Sequence, residues 1–86
     1  MLTQAIIHAR QNLSEHDVLV LLNFELSAYE ECADCHFTSV RPAKAVDETG
    51  CNWRGADLQV EGQATDAARR ITKQVVDEVR ETYNVE

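Results

Sequence analysis

Leu2, Ala5, Ile6, Ala9 and Leu13 recur at helical spacing, with Gln4, His8 and Gln11 turned the other way. The pattern predicts a first helix over residues 3–13, with Thr3 placed to cap it through its hydroxyl. Residues 14–17, Ser-Glu-His-Asp, break that pattern. From Leu22 the chain then alternates: Leu22, Phe24, Leu26 and Ala28 against Asn23, Glu25, Ser27 and Tyr29. This is the period of a half-buried strand. Val18, Leu22, Leu26, Tyr29 and Ala33 also fit a helix, and Ser14 followed by Asp17 resembles its cap. Eight consecutive alternating positions favour the strand.

A return strand is expected over Phe37 to Val46, with Thr38, Val40, Ala43 and Ala45 available for packing. Pro42 cannot donate to a ladder, so it must lie beyond the pairing or at a bulge. Asp47-Glu48-Thr49-Gly50 has turn chemistry, an acid first and a glycine fourth. A third strand over Trp53 to Glu61 puts Ala56, Leu58 and Val60 on one face, and Gly62 ends it. Residues 65–83 carry a continuous stripe of Ala68, Ile71, Val75, Val79 and Tyr83. They predict a helix capped by Thr65, with Asp66 at the positive end of its dipole. The expected order is α-β-β-β-α in one domain, residues 1–86. That is an α+β fold: a two-layer α/β sandwich with two helices packed on a three-stranded antiparallel sheet.

Size fits one modest core. A chain of 86 residues, 44% of them hydrophobic, buries about 60% of its unfolded surface. Only three glycines and one proline argue against long disordered tracts. The formal charge is −7, and neither half of the chain is basic, which removes the footprint of a sequence-independent phosphate binder. It also disfavours adsorption to membranes. The start Met1-Leu2-Thr3-Gln4 lacks the basic region and apolar core of a signal peptide. The run Val18 to Leu22 is far short of the roughly 20 residues that a membrane span needs. A small, soluble, cytoplasmic protein is expected, with its three cysteines reduced or bound to metal.

The densest chemistry lies in Glu30-Glu31-Cys32-Ala33-Asp34-Cys35-His36. In the strand reading this run is the turn of a hairpin. A C-x-x-C turn can offer two thiolates to a tetrahedral ion such as zinc, making Cys32, Cys35, His36 and the more distant Cys51 the candidate metal ligands. The expected strands put the two cysteine-bearing turns about 30 Å apart, at opposite ends of the middle strand, which competes with a shared site. A redox dithiol is a further option, but Glu30, Glu31 and Asp34 would raise the thiol pKa and lower reactivity. The plainest alternative is that the cysteines pack as small apolar residues, with no cofactor.

Trp53, after Gly50-Cys51-Asn52, is expected in the core on its bulk, with a binding surface as the alternative. Arg41 and Arg54 fall on neighbouring strands, with Arg69 and Arg70 near a helix start, where they could hold an anion or, more simply, balance charge on an acidic surface. No catalytic set emerges. Ser14, His16 and Asp17 lie in a polar connector suited to capping, and there is no glycine-rich phosphate loop.

Three resemblances follow from these residues. Cys32-Ala33-Asp34-Cys35-His36 resembles the haem-attachment motif of c-type cytochromes, which would make Cys32 and Cys35 attachment points and His36 an axial ligand. Met1 is the only methionine, so a second axial ligand would fall to His8 or His16. The element order resembles the double-stranded RNA-binding domain. The helix opening Gln63-Ala64-Thr65-Asp66 and the acidic sheet loops lack that family's basic grip, so RNA binding does not follow from the topology. Cys32-x-x-Cys35, Phe37 to Ala43, Gly50-Cys51-Asn52-Trp53 and Tyr83-Asn84-Val85 resemble a set of short uncharacterised bacterial proteins, a likeness that brings no activity. The expectation is a non-enzymatic protein-interaction or assembly module, partnered by another protein or by itself. The alternatives are a zinc- or haem-binding redox or regulatory protein, and a divergent nucleic-acid-binding domain.

Overall fold

The computed structural model describes residues 10–86. Short strand β1 (Gln11–Leu13) leads into helix α1 (Glu15–Leu26), and a 3-10 turn (Glu30–Cys32) leads into β2 (Cys35–Pro42). Then come β3 (Trp53–Val60), helix α2 (Asp66–Thr82) and β4 (Tyr83–Val85). Among the described residues the class is α+β with two helices, but the strands form two separate pairs and not a three-stranded antiparallel sheet. The likeness to the double-stranded RNA-binding domain loses its basis with the third antiparallel strand.

The expected strand from Leu22 is a helix. Ser14 caps it, its Oγ accepting the Asp17 amide at 3.0 Å, and Glu15 and Asp17 suit the positive end of its dipole. Val18, Leu22 and Leu26, spaced by four, are buried, and burial of each stabilises the fold by about 1.5–3 kcal/mol. The alternation from Leu22 to Tyr29 was a coincidence of residue choice, for Phe24 points to solvent. The helix predicted over residues 3–13 lies mostly outside the described residues. Its last part is strand: β1 runs parallel to β4, with Gln11 opposite Tyr83 and Leu13 opposite Val85.

β2 and β3 form an antiparallel hairpin from Cys35 opposite Val60 to Pro42 opposite Trp53. The register shifts twice. Thr38 has no partner between Phe37 and Ser39, and Arg54 has none between Trp53 and Gly55. Pro42 thus ends its strand beside a bulge, where its missing donor does no harm. α1 packs on β2, α2 on β3, and the helices touch each other. Trp53, Leu22 and Val18 are wholly buried at the centre, with Phe37, Ala68, Val75 and Val79 around them. α2 begins as expected, with the Thr65 hydroxyl accepting the Ala68 amide at 3.0 Å. Among the described residues no helix is long and apolar enough to cross a membrane.

Candidate functional site

The cysteine run connects α1 to β2 and is not the turn of a hairpin. Its 3-10 turn tucks Cys32 against α2, where the thiol points weakly at the Ala68 carbonyl, 3.8 Å away. Burial is the main reason that this thiol's pKa is raised, and Cys35 and Glu31 beside it push in the same direction. Cys35 is half-buried and His36 is exposed. All three cysteines are free thiols. Cys51 lies beyond the other end of β2, and eight strand residues span about 25 Å. Among the described residues no three histidine, cysteine or acidic side chains converge as a metal site would require.

That far end is a corner built from Gly50-Cys51-Asn52-Trp53 and Tyr83-Asn84-Val85. Asp47 opens it, and its Oδ1 accepts from the Thr49 amide at 2.8 Å, the Thr49 hydroxyl at 2.6 Å and the Cys51 amide at 3.1 Å. The Gly50 amide closes the expected turn on the Asp47 carbonyl at 3.0 Å, with Gly50 at φ +89°, a conformation that favours glycine. Arg80 of α2 donates to Asp47 Oδ2 at 2.8 Å and to the Trp53 carbonyl at 3.0 Å. These contacts hold the Asp47 carboxyl at about 2, well below the usual range. The Thr49 hydroxyl contributes most, the Cys51 amide next, and the Arg80 charge also helps.

Asparagines bind the corner to the C-terminal strand. Asn52 Nδ2 donates to the Val85 carbonyl at 2.6 Å while its Oδ1 accepts the Val85 amide at 2.8 Å, so one side chain does the work of a strand partner. Asn84 Nδ2 donates to the Gly50 carbonyl at 3.0 Å, and its Oδ1 accepts from Arg10 Nε at 2.8 Å. The Trp53 indole donates to the Tyr83 carbonyl at 2.9 Å. Trp53 is therefore a core residue with its one polar atom satisfied. Between α1 and β2, Asn23 repeats the device, pairing its amide with both backbone groups of Phe37 at 2.8 and 3.0 Å.

No family model matches the chain. Comparison with curated proteins and with solved structures returns no match either.

Arg41 pairs with Asp57 at 3.0 Å and borders a shallow hollow of about 330 Å³ that Arg54 also reaches. Arg54, at its bulge, borders a larger cleft of about 720 Å³ on the Trp53 side as well. The cleft runs along Pro42 and Ala43, with Lys44 at its edge. Two features have no counterpart in the sequence reading. One is the asparagine brackets, whose only signal is an amide set among apolar residues. The other is the outward face of α1. Val20 and Phe24 stand one turn apart there, 53% and 70% exposed.

Proposed function

We propose that the chain is a small non-enzymatic module for protein interaction or assembly, and that it engages its partner through the outer face of α1. The observation that carries this is the exposed pair Val20 and Phe24 on a helix whose opposite side is already buried by Val18, Leu22 and Leu26. A helix apolar on both sides has more apolar surface than its own fold uses. Phe24 contributes little to the core, yet burying it against a partner would stabilise a complex by about 1.5–3 kcal/mol. Aromatic side chains are also frequent anchors at interfaces.

The test pairs the unaltered chain with V20D/F24D, first checking that both melt alike. Sedimentation across a range of concentrations reads self-association, and matched affinity capture from the native cell extract reads other partners. Self-association or a captured protein that the double variant abolishes supports the proposal. Identical sedimentation and identical captures contradict it.

A further inference from the structure

The cleft beside the Gly50–Trp53 corner is separate from the α1 face. Its volume of about 720 Å³ lies within the range of sites that hold small molecules, about 300–1,000 Å³. Its accessible apolar lining is Pro42, Ala43 and Ala45, since Cys51 and Trp53 are buried. Its charges are not balanced. Arg80 is already engaged by Asp47 at 2.8 Å, which leaves Lys44 and Arg54. Neither forms an ion pair among the described residues. Two unneutralised cations thus flank an apolar slot, on a chain whose formal charge is −7.

We propose that this cleft binds a small amphipathic carboxylate, an apolar body ending in one acid group. Arg54 is the unpaired residue of the β3 bulge, and bulges re-aim side chains at the rims of sites. Its guanidinium fork matches the two oxygens of a carboxylate, and Lys44 adds a second positive charge. The apolar body lies along Pro42, Ala43 and Ala45. The loop that frames the cleft is held in place by the contacts of Asp47 with Thr49, Cys51 and Arg80. Little order must be imposed on it when a ligand enters, which lowers the cost of binding.

The probe is 4-phenylbutyrate, with its uncharged amide as the control, titrated into the isotopically labelled full chain and followed by amide and indole NMR shifts. Saturable shifts confined to residues 42–54 and Arg80 are expected, with a dissociation constant at or below about 1 mM. The amide control, and R54Q or K44Q with unchanged melting, should bind about tenfold more weakly. Equal binding of acid and amide would overturn the proposal. So would undiminished binding by both variants, shifts centred elsewhere, or no saturation by about 10 mM. None of these results depends on the behaviour of V20D/F24D.

Discussion

The cysteine turn and the Gly50–Trp53 corner each bury one thiol, Cys32 at 3% and Cys51 at 1% exposure, but they are held by different forces. At the turn, Cys32 sits among apolar neighbours with one weak sulfur contact to Ala68. At the corner, Asp47, Arg80, Asn52, Asn84 and the Trp53 indole tie loop, strand and helix through directed hydrogen bonds. In the stretch with the most reactive residue types Cys32 alone is buried, whereas amides and one carboxylate build the more organised region. Residue type alone does not locate a site. What matters is which donors and acceptors the fold brings together.

The largest expected effect is at the corner. Trp53→Ala should destabilise by about 3–5 kcal/mol, read by urea unfolding, because it empties the centre of the core and frees the Tyr83 carbonyl. Next come the amide brackets. Asn52→Ala and Asn23→Ala should each cost about 2 kcal/mol, since each strands a buried donor and acceptor, on Val85 and on Phe37. A loss at Asn23 far above that at Asn52 would reverse the contrast between the regions. At the turn, Cys32→Ser should cost about 1–2 kcal/mol by burying a hydroxyl beside apolar side chains. Cys35→Ser, at a half-buried position, should cost less than about 0.5 kcal/mol.

The corner should also respond to acid. The Asp47 pKa is lowered on folding, from the ordinary 3.8 to about 2, so its ionised form favours the native state. That contribution is fully present above about pH 4 and is lost as pH falls towards about 2. Melting temperature measured between about pH 5 and pH 2 should therefore fall less steeply for Asp47→Asn than for the unaltered chain. Parallel curves would mean that the Asp47 contacts do not form in solution.

Much of the second half was legible in the chain. Thr65 caps α2, Val75 and Val79 line its buried side, Asp47 to Gly50 turns, and Trp53 begins β3, because each rests on short-range chemistry. α1 was legible only as the alternative, in the spacing of Val18, Leu22 and Leu26 and the Ser14 cap, because its outward Phe24 supplied the apolar residue that mimics a strand. Had that position been polar, only the helical spacing of Val18, Leu22 and Leu26 would have remained. The β1–β4 pair spans only three residues a side and joins segments far apart in the chain, so no local period marks it. Placing the hairpin turn at the cysteine run followed from the misread helix. Sequence spacing does not reveal that Asn52 reaches Val85, because such brackets depend on the tertiary approach of two segments.

The burial of Cys32 and Cys51 is the point on which the contrast rests, and thiol labelling reads it directly. The reduced chain is exposed to iodoacetamide under native conditions, and each cysteine is followed by peptide mass spectrometry. Cys35 should label first, with Cys32 and Cys51 protected until the chain opens. Labelling of Cys51 as fast as Cys35 would contradict the closed corner.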